Sequence, residues 1–432
     1  MERGLWQMDR GAPLNFTTVA RVTGPLTEAA VRAALPALRA RHPHLRARIV
    51  AEGRALTDDG VPPLTLRVVD GGEPAAFAEL EREINEPVVS DPGPLARFTL
   101  VTGAPGESHL LLTLHHVVGD GMSGAFIVRD LVDAASRAIG GAVPTLPLLG
   151  DPGPIEARLP RAVRGARGLR CLVRFGAIEA WATLRHGRPL RVRRDADAFA
   201  HSRRTRVISR LLDVATTEAL SARARAERTT VHGALSAAIV LGVLADGAPG
   251  TRGSVAFGSP VNVRARLDPP VGEEAGFYVS MVAFRSAADP KTPFWDVARA
   301  VRRSLERDLE RDAGLSLLHV LPAFFALIGG SRLAPRTLAE RWERLVPATT
   351  GLTNLGRLGI ETRFGPLSIE DCFFAACPSA LGEFMCTSTS LHGRVRWNFL
   401  WPDPVMTSAH ATQLVDSIVD RLSAAIRAPA SP

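Results

Sequence analysis

The stretch His115-His116-Val117-Val118-Gly119-Asp120-Gly121 is the most informative part of this 432-residue sequence. It ends an apolar run over residues 109–115 that is typical of a strand, and it leads directly into a helical pattern over residues 121–139. By composition alone, a string of the form H-H-x-x-x-D-G is expected in roughly one in a thousand chains like this. The string therefore predicts a functional site at the carboxyl end of a strand.

The residue types in this string suit proton transfer. A histidine at the end of a strand can project its ring into a cleft and, with a pKa near neutrality, take a proton from a hydroxyl or an amine. Because side chains alternate along a strand, only one of His115 and His116 can face the cleft. Asp120 has three candidate roles, which are to orient the ring, to pair with an arginine, or to cap the next helix. Gly121 is expected to leave room beside the ring for substrate. In the plainer alternative, both histidines are ordinary buried residues that close the strand.

Length and composition limit the class of protein. The chain is long enough for two or three domains, and its 46% of hydrophobic residues predicts an ordinary folded protein with a sizeable core. No run approaches about 18 uncharged apolar residues, and residues 1–16 lack a signal-peptide pattern, so a cytoplasmic protein is expected. No bound metal is expected, because the cysteines lack metal-binding spacing, and no bound cofactor is expected, since the sequence has no Gly-rich phosphate loop of the usual spacing. The cysteines are Cys171, Cys372, Cys377 and Cys386.

The order of the predicted elements indicates an α/β architecture with mixed sheets. Residues 1–150 and residues 201–432 each alternate between strands and helices, and residues 151–200 form a crossover rich in proline and arginine. Two such lobes that meet across a groove favour a ligand site between them. Strands are predicted at residues 16–22, 45–50, 64–69, 96–101, 109–115, 205–212, 254–258, 277–284, 367–369, 384–391 and 395–400, and helices at residues 29–41, 74–84, 121–139, 214–226, 230–244, 294–312 and 407–426.

The crossover concentrates the positive charge of the chain. Between Arg158 and Arg206 there are 14 arginines and three acidic residues, whereas the net charge of the whole chain is +8. Within this segment an amphipathic basic helix is predicted, with the arginines mostly on a different face from the apolar residues. The apolar residues at helical spacing are Leu159, Val163, Ala166, Leu169, Val173 and Ile178. A solvated face over a lobe is the simpler interpretation, and docking of an acidic carrier domain or of a membrane surface is the alternative.

The motif at residues 115–121 resembles the H-H-x-x-x-D-G signature of the condensation-domain superfamily. That superfamily includes nonribosomal peptide condensation domains, chloramphenicol acetyltransferase and polyketide-associated acyltransferases. Residues 37–46 are similar to its first helix and following turn, and residues 260–266 and 353–358 to its later strand and latch segments. The aromatic D-F-G-W-G motif of plant members is absent, which favours the bacterial free-standing acyltransferases. The resemblance implies two chloramphenicol acetyltransferase-like lobes in a V-shaped pseudo-dimer with a tunnel between them.

The resemblance also implies roles for individual residues. His116, the second histidine, would be the general base. Asp120 would be structural and would bridge to Arg264, with Arg266 as the alternative partner. Asn354 and Gly356 would lie near the tunnel, and a hydroxyl from the strand that carries Ser388 and Ser390 would donate to an oxyanion. A polar strand face is the simpler interpretation of those hydroxyls, and core packing is the simpler interpretation of Tyr278.

The expected activity is transfer of an acyl group from a thioester to an alcohol, which forms an ester in lipid or polyketide metabolism. The thioester co-substrate would be an acyl-coenzyme A or an acyl group on the phosphopantetheine arm of a carrier protein. A monomer without a nucleic-acid partner is expected, with peripheral membrane contact as a further possibility. Two alternatives stay open. One is a free-standing condensation enzyme that forms amides from amines in nonribosomal peptide synthesis, and the other is a non-catalytic module that docks a carrier or a membrane.

Overall fold

The computed structural model describes residues 2–151, 153–247, 253–287, 289–327, 333–334, 337–338, 340–341, 348–378 and 383–429. The helices are α1 (Glu2–Asp9), α2 (Glu28–Arg41), α3 (Gly72–Asn85), α4 (Gly121–Ile139), α5 (Ala166–His186), α6 (Val214–Ala226), α7 (Val231–Asp246), α8 (Phe294–Glu310), α9 (Ala313–Leu327) and α10 (Ser408–Arg427). The strands are β1 (Asn15–Thr23), β2 (Arg48–Val50), β3 (Ala55–Thr57), β4 (Leu66–Asp70), β5 (Ala96–Thr102), β6 (Glu107–His115), β7 (Arg204–Leu212), β8 (Ser254–Asn262), β9 (Val279–Ala287), β10 (Thr350–Arg357), β11 (Arg363–Phe364), β12 (Leu367–Ala376), β13 (Met385–Leu391) and β14 (Arg394–Asp403).

Two six-stranded sheets organise these elements. The first sheet has the order β11-β12-β1-β6-β5-β4, and the second has the order β7-β14-β13-β10-β8-β9. Strands β4 and β5 are parallel, and β10 is parallel to both of its neighbours, whereas the other pairs are antiparallel. Strands β2 and β3 form a separate antiparallel ribbon. The predicted α/β class with mixed sheets is confirmed.

Strand β6, which ends in the histidine motif, is buried on both faces. Leu110, Leu112 and Leu114 belong to the core under α2 and α4, and Leu111 belongs to the core under α3. This alternation explains why β6 is a nearly continuous apolar run. Helix α4 starts at Gly121, and only five residues separate it from the end of β6. The motif therefore joins two elements that are both fixed in the core of the first sheet.

The two sheets are not assembled from separate halves of the chain. Strands β11 and β12, from the C-terminal part, complete the first sheet, so residues 1–150 alone do not build it. The hydroxyls of Thr387 and Thr389 on β13 donate to the carbonyls of Phe374 and Cys372 on β12, at 2.6 and 2.8 Å. The second sheet is thus joined to the first along β12 and β13. The predicted division at residues 150 and 200 follows the change in composition. Composition carries no signal that β11 and β12 join the sheet formed by the N-terminal strands.

Several element boundaries agree with the sequence. Helices α4 and α6 span the predicted residues 121–139 and 214–226. His392 and Gly393, with φ of 49° and 74°, form the predicted tight turn between β13 and β14. The sequence did not predict α1, α9 or β10.

The basic helix of the crossover is shorter at its start than predicted. Helix α5 begins at Ala166, and two 3-10 turns, Ile155–Arg158 and Arg161–Val163, precede it. Proline at residues 154 and 160 ends any longer helix, because proline lacks the backbone donor that a helix interior needs. The side chains of Ala166 and Leu169 lie outside the described part of the structure.

Helix α7 fills the core of the second sheet. Its apolar residues pack with those of α8, α10 and the sheet. No single helix among the described residues is long and apolar enough to cross a membrane. The bent pair of α6 and α7 passes that test by length and composition only, and α7 is largely buried.

Candidate active site

The two motif histidines lie in different surroundings. His115 is the last residue of β6, pairs with Asn15 of β1, and is fully buried. His116 is the first residue of the bend and is partly exposed. Its backbone N–H donates to Leu14 O at 3.1 Å, which anchors the start of the bend to the chain before β1. The structure thus leaves only His116 accessible.

The ring of His116 is held by the bend that follows it. Its Nδ1 lies 2.9 Å from the carbonyl oxygen of Gly119. Because a carbonyl only accepts, Nδ1 carries the proton in this contact and Nε2 is left as an acceptor. The ring is flanked by Phe16 and Phe277, with centroid distances of 5.0 and 5.3 Å. Burial lowers the pKa of His116 below its ordinary value.

Asp120 forms a buried ion pair with Arg264, the contact that the resemblance implies. Arg264 donates from Nη1 and Nη2 to the two carboxylate oxygens at 2.7 and 3.0 Å. The Asp120 side chain is 1% exposed and the Arg264 side chain is 6% exposed. Burial alone would raise the pKa of Asp120, but the Arg264 charge and the Ser123 donors outweigh it and hold that pKa below its ordinary value. Arg266, the alternative partner, binds Asp312 at 2.6 Å instead.

Asp120 also accepts hydrogen bonds from donors at the start of α4 and from a backbone N–H just before β9. It is the N-cap of α4 and accepts from the backbone N–H and the hydroxyl of Ser123, both at 2.9 Å. The backbone N–H of Tyr278 donates to its other oxygen at 3.1 Å. The Tyr278 ring is buried under the Arg264 guanidinium at 4.6 Å, which agrees with a packing role. Since Asp120 is fully occupied by these donors, it does not orient the His116 ring.

Ser123 and Asp9 are two site residues that the sequence analysis did not single out. Ser123 stands three residues after Asp120, which is the spacing of a helix N-cap contact, so a local signal was present. Asp9 of α1 places Oδ2 3.3 Å from Nε2 of the buried His115, close to the ring but outside hydrogen-bond geometry. Asp9 also accepts from the backbone N–H of Leu14 at 2.7 Å. No local pattern could have indicated that α1 reaches the end of β6.

The expectation that Gly121 leaves room for substrate is wrong. A Cβ at this position would lie 3.0 Å from a methyl carbon of Leu355 on β10. The space is therefore taken by the second sheet, and Gly121 permits the close approach of β10 to α4. Asn354 and Gly356 flank Leu355, and Asn354 Oδ1 accepts from the Gly356 backbone N–H at 2.7 Å, where the pairing of β10 with β13 is irregular and Gly356 has φ of 68°. Both predicted residues thus lie close to the motif.

The hydroxyl-rich strand β13 divides its side chains between two faces. The hydroxyls on one face fasten β13 to β12, as described above. On the other face Ser388 is buried, and its hydroxyl has no hydrogen-bond partner among the described residues. Ser390 is only partly buried, and its carbonyl accepts from the backbone N–H of Leu358 at 2.9 Å. An oxyanion-binding role for either serine stays a prediction.

A cavity of about 720 Å³ adjoins the motif. Val117 and Phe277 form part of its wall, and these residues flank His116 in sequence and in space. Other parts of the wall come from α1, the β2–β3 ribbon and the start of the crossover, and they include Trp6, Leu56 and Ile155. His116 does not line the cavity itself, but the ring of Phe277 does, and this ring lies edge-on to the His116 ring at a centroid distance of 5.3 Å. A molecule in this cavity can therefore contact a side chain that packs directly against the His116 ring.

The loop that carries Phe277 is anchored by a cluster of charged residues. Glu273 accepts from Arg129 at 2.5 Å and from Arg41 at 2.6 Å, and Arg41 also donates to Asp130 at 2.5 Å. His42 contacts the same Asp130 oxygen at 2.9 Å. Helices α2 and α4 thus fix the loop before β9, and with it Phe277. Among the residues that the structure describes, no group of three or more His, Cys, Asp or Glu side chains could hold a metal ion.

The fold and the motif define a class of two-sheet acyltransferases and condensation domains, and comparisons with known proteins agree. Residues 7–147 match the family model of the condensation domain, and residues 201–370 match that of the phthiocerol/phthiodiolone dimycocerosyl transferase C-terminus. The chain is 31% identical over 328 residues to phosphinothricin tripeptide synthetase PhsC of Streptomyces viridochromogenes, which covers 71% of this chain and 29% of the synthetase. The chain spans less than a third of the length of the curated relatives it matches.

Solved structures show the same fold. The first condensation domain of the calcium-dependent antibiotic synthetase superposes with a TM-score of 0.72 at 21% identity and covers 100% of this chain and 96% of its own. Polyketide synthase associated protein 5 from Mycobacterium tuberculosis has a TM-score of 0.69 at 18% identity, with coverage of 98% and 97%. The chain belongs to the superfamily of condensation domains and chloramphenicol acetyltransferase-like acyltransferases.

Proposed function

We propose that this chain transfers an acyl group from a thioester to a hydroxyl acceptor and forms an ester. The observation that carries the proposal is the contact of Nδ1 of His116 with Gly119 O at 2.9 Å, in a residue that is partly exposed whereas His115 is fully buried. This contact holds the imidazole in the tautomer that has a free Nε2, which is the atom that a general base needs. The donor is an acyl group on coenzyme A or on a carrier-protein pantetheine arm.

In the proposed reaction the acceptor O–H loses its proton to Nε2 of His116 as its oxygen attacks the thioester carbonyl. The C–S bond of the tetrahedral intermediate then breaks, and the leaving thiolate takes the proton from His116. The ester forms, the free thiol leaves, and the imidazole returns to its neutral state. The lowered pKa of His116, caused by burial, keeps the ring neutral and able to accept a proton near pH 7.

Asp120 is a positioning residue in this proposal. Its carboxylate binds the start of α4, Arg264 after β8 and the backbone of Tyr278 before β9. Phe277, which contacts the His116 ring, precedes Tyr278 directly. Asp120 therefore holds in place the start of α4 and the segment that carries Phe277. It does so without touching the reacting atoms.

The comparisons support two kinds of acceptor. Phthiocerol is by its name an alcohol and mycocerosyl an acyl group, so the family model that matches residues 201–370 supports ester formation. The curated relatives are peptide synthetases, which supports an amine acceptor and an amide product as the second candidate. Both candidates use the same base and the same thioester donor.

The role of His116 is tested with His116→Ala and a set of acyl thioesters. We expect the rate of thioester consumption and of product formation to fall by about a hundredfold or more. His201→Ala, at an exposed histidine outside the motif, is the matched control and keeps full activity. Near-normal turnover by His116→Ala would exclude His116 as the base.

The acceptor is tested with pairs of alcohols and amines of matched carbon skeleton, each offered with the same thioester. Intact-mass detection of ester products supports O-acyl transfer. Amide products alone would replace the first candidate with the second. Absence of both products across a broad panel, together with tight carrier binding, would favour a non-catalytic docking module.

A further inference from the structure

Helix α5 presents an outward face that combines large apolar side chains with arginines. Four apolar residues of this helix are strongly exposed, which is unusual for side chains of this size. They are Val173 at 67%, Ile178 at 49%, Trp181 at 60% and Leu184 at 87%. We call these residues, together with the exposed arginines Arg170, Arg174 and Arg185, the α5 face.

The α5 face is continuous along one side of the helix. At about 100° per residue, all seven side chains fall within an arc of about 140°. Gly168 and the buried Ala182 lie on the opposite side. A Cβ at Gly168 would meet the ring of His319, so this side of the helix is pressed against α9. Helix α5 is therefore attached to the protein by one side and presents the other outward.

The charges of the α5 face have one sign. Its three arginines are exposed, and none of the seven residues of the α5 face is acidic. Arg185 lies over the Trp181 ring at 5.5 Å, an arrangement that keeps the indole and the cation together at the surface. A partner for this face must accept several apolar side chains and also carry negative charge.

We propose that the α5 face binds the surface of an anionic lipid bilayer. A convex helix with Trp and Leu between arginines suits the membrane interface, where apolar side chains enter the acyl boundary and arginines meet lipid phosphates. An acidic protein would satisfy the arginines, but it would need an apolar groove as well to bury Leu184 and Val173. This proposal goes beyond acyl transfer and does not depend on it.

The test is flotation of the purified full chain with vesicles. One set contains only phosphatidylcholine, and the other contains equal parts of phosphatidylcholine and phosphatidylglycerol. We expect binding to the anionic vesicles, weaker binding to the neutral ones, and a decrease at high salt. The double variant Trp181→Ser/Leu184→Ser and the charge reversal Arg170→Glu/Arg174→Glu each lower the partition coefficient by about tenfold or more.

Leu148→Ser is the matched control, because Leu148 is an exposed apolar residue in the connector before α5. It leaves vesicle binding unchanged. Circular dichroism spectra that match those of the unaltered chain show that each variant is folded. Equal binding of the α5 variants and the unaltered chain would overturn the proposal. Absence of binding to anionic vesicles would also overturn it, and retention on an acidic carrier protein that the α5 variants lose would assign the face to a protein partner instead.

Discussion

Replacing Arg264 by methionine isolates the contribution of the buried ion pair at the motif. Arg264→Met keeps an unbranched apolar side chain but leaves the Asp120 carboxylate buried without its main partner. Removing one member of a buried pair costs about 3–5 kcal/mol of unfolding free energy. Arg266→Met is the matched control, two residues away. Its pair with Asp312 is 34% and 38% exposed, and such pairs contribute at most about 1 kcal/mol.

The free energy of unfolding is measured by urea titration, followed by tryptophan fluorescence. We expect Arg264→Met to be less stable than Arg266→Met by about 2–4 kcal/mol at pH 7. In the double variant Arg264→Met/Asp120→Asn the buried charge is absent, so the combined loss is smaller than the sum of the two single losses. Equal stability of Arg264→Met and Arg266→Met would refute the view that this pair holds the site together.

The pH dependence gives an independent test of the same pair. In the unaltered chain the pKa of Asp120 is lowered, so its contribution to stability is present above the unfolded pKa of about 3.9 and is lost as pH falls through the folded value. In Arg264→Met burial is no longer opposed by the arginine, and the folded pKa rises above the unfolded value. The variant's deficit in stability therefore shrinks as pH is lowered from 7. A deficit that grows on acidification would contradict this assignment.

Two further predictions concern the base and the cavity. Because burial lowers the pKa of His116, kcat/KM rises with pH along an acid limb whose midpoint lies below the ordinary histidine value of 6.5, and a midpoint above 6.5 would exclude a desolvated His116 as the base. Phe277→Ala removes a ring that both lines the 720 Å³ cavity and contacts the His116 ring, so we expect the ratio of kcat/KM for a bulky acceptor to that for a small one to increase. Trp6→Ala is the control, because Trp6 also lines the cavity but is not one of the two aromatic rings that flank His116, and an identical change in this ratio for Trp6→Ala would contradict a specific role for Phe277.

The parts of the fold that could be predicted are those that local sequence determines. Helix α4 has a capping residue, Asp120, and an apolar stripe, so both of its ends were visible. The turn at His392-Gly393 follows from residues that tolerate positive φ. Strand β10 was missed because it pairs in parallel with β8 and β13. Parallel strands are not joined by a tight turn, so the nearby sequence gives no hairpin signal.

The candidate site shows the same limit. The motif and the pairing of Asp120 with Arg264 could be anticipated, since the resemblance supplies the long-range contact. The occupation of the space beside Gly121 by Leu355 could not, because it depends on how closely β10 approaches α4. The charged cluster around Glu273 joins residues from three parts of the chain, and nothing in their local sequences connects them.

The spacing within the motif follows from two separate requirements of the bend after β6. The carbonyl oxygen of Gly119 must reach Nδ1 of His116, which fixes a separation of three positions between the base and the residue that supports it. The next residue must end the bend and start α4, and Asp120 does so as the N-cap, since its Oδ1 accepts from the backbone N–H of Ser123. Its Oδ2 accepts from Arg264 and from the backbone N–H of Tyr278. The backbone therefore orients the histidine, and the aspartate joins the first sheet to the elements around β8 and β9. Since these tasks fall on different atoms, we expect loss of the Asp120 charge to disturb the placement of Arg264 and of the segment before β9 more than the orientation of the His116 ring.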